Sequence, residues 1–185
     1  MIKIKASKFS VLEAPPADCN ASGYLSEDLS LNFNKIRCVM GHSNIYGSYT
    51  QGWKSFPYEF ILKGNFYPQD INNWLGNWWE TIWKNFNFDI NKIPFCDFII
   101  SGNWKKNHDT KLNGAVRAKN FEYKDFPIQY SNFDLQLKDK ITSIKTSSLN
   151  HSKGELKGLI KFHNNAKLKN KFFEYSINGI LPLNK

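Results

Sequence analysis

The stretch EFILKGNF at residues 59–66 decides the fold, because it recurs without gaps as DFIISGNW at residues 97–104. Both copies follow a proline, Pro57 or Pro94, and both run from an acid through apolar residues to Gly, Asn and an aromatic residue. Such segments are typical of strands, and a glycine near a strand's exit permits a bulge or bend that curves a sheet. The repeat therefore predicts two equivalent, neighbouring β-strands.

Alternation of apolar and polar side chains extends outward from the repeat in both directions. It is clear in IKIKASKFSVL at residues 2–12 and in FDLQL at residues 133–137. Turn residues recur at roughly the 8–12-residue spacing of antiparallel architectures. The sequence predicts a mainly β protein, with about ten to twelve strands in a curved antiparallel meander. Such a meander would form a β-groove or an open barrel-like sheet.

One segment departs from this alternation. From Ile71 to Phe86 the apolar residues recur at helical spacing on one face, and Pro68 and Asp70 suit the first turn or cap of a helix. We therefore expect an amphipathic, Trp-rich helix at about 69–85, inserted between the two repeat strands. The predicted organisation is a single β-rich domain over 1–185, or a fragment of a longer repeated-strand protein.

The charge and the cysteines are less informative than the repeat. The net charge is +9, yet only Arg37 and Arg117 are arginine, and the lysines are dispersed. This distribution indicates coding bias and argues against a nucleic-acid interface, while 16% aromatic residues argue against disorder. Cys19, Cys38 and Cys96 have neither zinc-site spacing nor a disulfide framework, which leaves one disulfide plus a free thiol as an open alternative.

The side chains that usually carry catalysis do not form a recognisable motif. The histidines, His42, His108, His151 and His163, are scattered, and no phosphate-binding loop, dinucleotide fingerprint or nucleophile elbow is present. We expect a protein that is not an enzyme, with no catalytic residue, no metal site and no cofactor. The Trp residues of the predicted helix are expected to form a stripe that faces the core.

Strand alternation predicts one wide apolar face, which is the candidate ligand-binding surface. Its predicted members are Phe60, Leu62, Phe98, Ile100, Val116, Phe133, Leu135, Leu137, Leu156, Ile160 and Phe162. Two interpretations remain open. The Trp-rich helix and a second layer bury this face as an ordinary core, or part of it stays open as a groove for an apolar ligand.

The run GAVRAKNFEYKDFPIQYSNFDLQLKDKITSIKTSSLNHSKGELKGLIKF, at residues 114–162, resembles the AsmA-like proteins of Gram-negative bacteria. The shared features are a strand ending NF-x-Y, a turn, FPI, an alternating strand and a final G-x-L-x-G strand. WLGNWW at residues 74–79 is similar as well, and the resemblance extends over about 39–181. The chain departs from the family pattern because it is short and has no N-terminal membrane anchor, which suggests a fragment.

The resemblance implies a long antiparallel sheet with an apolar inner surface, on the periplasmic side of the inner membrane, that takes part in lipid movement to the outer membrane. It supplies no catalytic motif. We therefore expect a β-groove segment for phospholipid or another apolar ligand, with membrane or envelope proteins as further partners. The parent would be periplasmic and attached to the inner membrane, or cytoplasmic if the resemblance does not hold. The alternatives are a structural or protein-interaction module with a closed dry core, and a single-strand nucleic-acid binder, which the lack of clustered Arg disfavours.

Overall fold

The computed structural model describes residues 1–9, 15–71, 80, 83–106, 109–138, 141–151, 154–163 and 173–180. In this part of the chain, 12 strands form one antiparallel sheet, which confirms the predicted meander. Neighbours in sequence are neighbours in the sheet, except that β6 lies off the path and pairs with β8. The strands are β1 (Ile2–Phe9), β2 (Ala17–Leu25), β3 (Leu31–Met40), β4 (Ser43–Gln51), β5 (Pro57–Asn65), β6 (Phe86–Phe88), β7 (Phe95–Asn103), β8 (Lys111–Tyr123), β9 (Phe126–Lys138), β10 (Ile141–His151), β11 (Gly154–His163) and β12 (Phe173–Ile180).

The two copies of the repeat are β5 and β7, and they pair directly with each other. Ile61 lies opposite Ile99 at the centre of the pairing. On either side of this pair, the second residue of each copy lies opposite the fourth residue of the other: Phe60 faces Ile100, and Phe98 faces Leu62. A local two-fold axis therefore relates the copies. The fifth position of one copy and the first of the other form an exposed ion pair, with Lys63 Nζ 2.9 Å from Asp97 Oδ2.

The repeat glycines do not form the bulges that a glycine near a strand's exit permits. Pairing runs without a register shift through Gly64 and Gly102. Gly64 has a φ of +143°, and a Cβ there would overlap the carbonyl of Asn44 on the next strand. A Cβ on Gly102 would lie 2.8 Å from the Tyr58 hydroxyl. These glycines permit close approach between neighbours in a regular ladder, because they have no side chain to exclude them.

The structure does not support the predicted Trp-rich helix at about 69–85. Residues 72–79 and 81–82 fall outside the described part, and of the remainder only Glu80 and Trp83 have α-helical geometry, which does not delimit a helix. A 3-10 helix at Pro68–Ile71 begins it. Near its end, the Lys84 N–H donates to the Glu80 carbonyl at 2.9 Å, and β6 follows at once.

Within the described part of the chain, Asp70 stabilises the turn between β3 and β4. Its side chain is buried and accepts hydrogen bonds from the His42 N–H at 3.0 Å and the Ser43 hydroxyl at 2.7 Å. Ser43 in turn accepts a hydrogen bond from the Tyr67 N–H at 2.9 Å. This network fastens the 3-10 helix to the turn between β3 and β4.

The structure resolves the cysteine pairing that the sequence left open: one disulfide and one free thiol. Cys19 and Cys38 lie directly opposite each other on β2 and β3, and a disulfide joins them across a Cα–Cα distance of 4.2 Å. Cys96 is a free, buried cysteine on β7. Its apolar surroundings raise the pKa of the Cys96 thiol, because burial penalises the thiolate.

Candidate functional site: an apolar groove

The strand register brings the predicted apolar face together. Through successive cross-strand pairs, ten of the eleven candidate residues lie on the same face of β5 and β7–β11. The eleventh is Phe162, whose backbone pairs with Thr142 in the same sheet and whose side chain lies outside the described part. Alternation therefore predicted the membership of this face well.

The middle of the face is filled by packing. Phe98, Val116 and Leu135 are buried in the main hydrophobic cluster, and the ring of Phe66 meets that of Phe98 edge-on at 6.0 Å. Leu62 and Ile100 are partly buried against the same cluster. Phe60 and Leu137 lie on the same face and are also partly buried. In this region the face is a packed hydrophobic core.

Towards β12 the same face borders a cavity of about 490 Å³ between described residues. Three of the predicted residues, Phe133, Leu156 and Ile160, line it. Aromatic or aliphatic side chains make up most of the remaining lining. These are Trp83, Phe86, Tyr123, Phe126, Ile128, Ile144, Leu149 and Ile177, with Asn85, Thr146, Lys157 and Gly158 completing it.

An aromatic cluster forms one wall of this groove. The Phe86 ring centroid lies 5.0 Å from that of Tyr123, 5.1 Å from that of Trp83 and 6.1 Å from that of Phe133. Trp83 is almost fully buried, whereas Phe86 is partly buried beside the cavity. Such edge-to-face and tilted contacts hold the rings in place, so the wall is pre-formed.

The opposite wall is formed by strands β10–β12 of the sheet, and this wall becomes exposed to solvent at the β12 edge. Ile144 on β10 pairs with Ile160 on β11, and Leu149 pairs with Leu156. On β12, Ile177 is opposite Gly158 and remains 60% exposed. The described residues thus leave the groove open beside β12, where the exposed Lys157 forms an ion pair with Glu155 at 3.6 Å.

Sequence reasoning missed several groove residues because strand alternation changes phase. Ile128 is five positions before Phe133, an odd spacing that strict alternation assigns to the opposite face. The change coincides with Asn120 on the paired strand, whose φ of +50° is unusual for a non-glycine residue. On β10, a register shift between Thr146 and Leu149 likewise changes the phase of the alternation. A phase change of this kind has no clear signature in residue type.

The groove's lining is mainly apolar. It combines an apolar interior with one lysine, one asparagine and one threonine near hydrocarbon side chains. Among the residues that the structure describes, no group of three or more His, Cys, Asp or Glu side chains could hold a metal ion. In the described part of the chain, no helix is long and apolar enough to span a membrane.

Comparison with known proteins assigns no family to this chain. No protein-family model matches it, no curated protein matches it, and no solved structure matches its fold.

Proposed function

We propose that the groove binds an acyl chain or a similarly shaped apolar ligand, and that the protein is a non-catalytic lipid-handling segment. The observation that carries the proposal is the apolar cavity of about 490 Å³ beside β12. Its size lies within the roughly 300–1,000 Å³ of pockets that bind small molecules. An apolar chain would lie against Ile144, Leu156 and Ile160, with its polar end at the open edge beside β12.

The finer proposal is that the chain is an AsmA-like β-groove segment that acts in the periplasm in outer-membrane lipid homeostasis. The antiparallel meander with a one-sided apolar face supports it. The Cys19–Cys38 disulfide also supports it, because disulfides persist in oxidising compartments such as the periplasm. The expected partners are phospholipid and membrane or envelope proteins.

A structural or protein-interaction module is the second candidate. The dry packing around Phe98, Val116 and Leu135 favours it, because the central part of the predicted face has no room for a ligand. The two candidates differ over a single region, the groove between β6 and β9–β12. A ligand that binds there separates them.

The test is a titration with a pyrene-labelled fatty acid of the wild-type chain and two Phe variants. Thr146 lines the groove and lies opposite Gly158, so the ring in Thr146→Phe would occupy the ligand's space. The matched control is Ser143→Phe, which places the same ring on the other face of β10. We expect saturable binding that weakens at least tenfold in Thr146→Phe and changes less than twofold in Ser143→Phe.

Equal binding by both variants would place the probe elsewhere and reject the groove. Absence of saturable binding by the folded wild-type chain would favour the dry structural module. Circular dichroism of each variant establishes that the sheet is retained.

A further inference from the structure

Two neighbouring loops at one end of the sheet carry the same Trp-Lys dipeptide. The first loop, 52–56, joins β4 to β5 and contains Trp53 and Lys54. The second follows β7 and begins with Trp104 and Lys105. Trp53 is 46% exposed and Trp104 is 49% exposed. Because β5 and β7 pair, the two loops lie side by side; residues 52–56 and 103–106 are called the Trp-Lys tip below.

Direct hydrogen bonds hold the tip together. The Trp104 N–H donates to the Phe56 carbonyl at 3.1 Å, and the Asn103 side-chain amide donates to the Ser55 carbonyl. The ammonium of Lys105 lies 4.0 Å from the centroid of the Phe56 ring. The two loops therefore form a single surface with a defined shape.

The sheet supports the exposed Trp104 ring from beneath. Its centroid stacks 4.3 Å from that of Tyr58, and its indole N–H donates to the Tyr49 hydroxyl at 3.1 Å. Burial raises the pKa of the Tyr49 hydroxyl. One side of the indole is thus bound to the sheet while the remainder faces outward.

The backbone of the first loop is strained. Ser55 has a φ of +77° and Phe56 a φ of +55°, and residues with side chains rarely adopt this left-handed region. Two successive residues of this kind are held only where the surrounding structure enforces them, which occurs often at ligand clamps and other functional sites. Here they carry the chain so that the Trp53 and Phe56 rings meet edge-on at 6.1 Å at the surface.

The charges of the tip are uniformly positive. Lys54, Lys105 and Lys106 are exposed, and neither 52–56 nor 103–106 contains an acidic residue. The carboxyl groups of Glu27, Asp28, Glu59 and Asp109 line a polar groove that the tip borders through Gly52 and Asn103. Exposed Trp rings beside lysines are the combination that favours the interface of an anionic bilayer, where indoles enter the headgroup region and ammonium groups pair with lipid phosphates.

We propose that the Trp-Lys tip docks on an anionic lipid surface. The tip lies at the strand ends opposite those near the β6 wall of the groove, so the proposal does not depend on a ligand in that groove. A lipid surface fits better than a nucleic acid, because the tip contains no arginine and Trp104 already stacks on Tyr58 with one face.

The test is co-sedimentation of the full chain with vesicles of phosphatidylglycerol and phosphatidylcholine, and with vesicles of phosphatidylcholine alone. The variants are Trp53→Ser, which removes an exposed ring, and the double variant Lys54→Glu with Lys106→Glu, which reverses two exposed charges. The matched controls are Tyr46→Ser, an aromatic side chain with 50% exposure on β4, and Lys145→Glu on β10.

We expect binding to the anionic vesicles that exceeds binding to phosphatidylcholine at least tenfold. Trp53→Ser should weaken it about tenfold. The charge reversal should weaken it more than 25-fold, since each lysine near an anionic surface contributes about fivefold. Both controls should stay within twofold. Equal losses in tip variants and controls, no binding to anionic vesicles, or tighter binding to a single-stranded oligonucleotide than to the vesicles would overturn the proposal.

Discussion

Replacement of Asp70 by Ala tests how the 3-10 helix at Pro68–Ile71 is attached to the sheet. The buried carboxyl group accepts two hydrogen bonds from the turn between β3 and β4, one from the His42 N–H and one from the Ser43 hydroxyl. A hydrogen bond accepted by a carboxylate contributes roughly 1.5–3 kcal/mol to stability. Water that enters the space vacated by the side chain recovers part of this loss. We expect Asp70→Ala to lower the free energy of unfolding by about 2–4 kcal/mol.

Urea unfolding followed by circular dichroism measures this loss. With a slope of about 2 kcal/mol per molar urea, the midpoint should fall by about 1–2 M with the slope unchanged. The matched control is Asp28→Ala, which removes an exposed carboxyl group that also accepts hydrogen bonds, from Ser26 and Ser30. Its midpoint should move much less, because water replaces those bonds. If the two variants lose equal stability, burial of Asp70 is not the source of the effect and the reasoning is refuted.

Two further predictions concern the cysteines. Because burial raises the pKa of the Cys96 thiol, the folded chain should resist alkylation by iodoacetamide at neutral pH and react once it is unfolded in urea; rapid labelling of the native chain would contradict this. The Cys19–Cys38 disulfide closes a loop with a sequence separation of 19, so the Cys19→Ala and Cys38→Ala double variant should be about 3 kcal/mol less stable than the oxidised chain in urea titrations. A stability equal to that of the oxidised chain would mean that the bond does not constrain the unfolded state.

The strand repeat and the alternation made most of the sheet predictable. A side-chain period of two fixes which residues share a face, so Phe60, Leu62, Phe98 and Ile100 could be grouped before their pairing was known. The two-fold relation between the copies follows from the β5–β7 pairing, and the order of residues in the sequence does not predict it. The disulfide depended on the same step, because Cys19 and Cys38 become partners only when β2 and β3 align.

The groove was less predictable, because its lining depends on departures from regular geometry. Ile128 and Leu149 reach the groove through phase changes near Asn120 and Thr146. Asp70 suited a helix cap by residue type, yet its side chain bonds to a turn that is distant in sequence. Local pattern could not anticipate that tertiary contact.

Photo-crosslinking tests the central claim most directly, because it locates an acyl chain on the protein. A fatty acid with a diazirine at mid-chain is bound to the wild-type chain and irradiated, with and without an excess of unlabelled fatty acid, and the modified residues are mapped by peptide mass spectrometry. The proposed function predicts competed crosslinks on the groove side of β9, β10 and β11, at 126–133, 144–149 and 156–160. Crosslinks that concentrate on the opposite face, at Ile61 and Ile99 for example, or that unlabelled fatty acid fails to reduce, would contradict it.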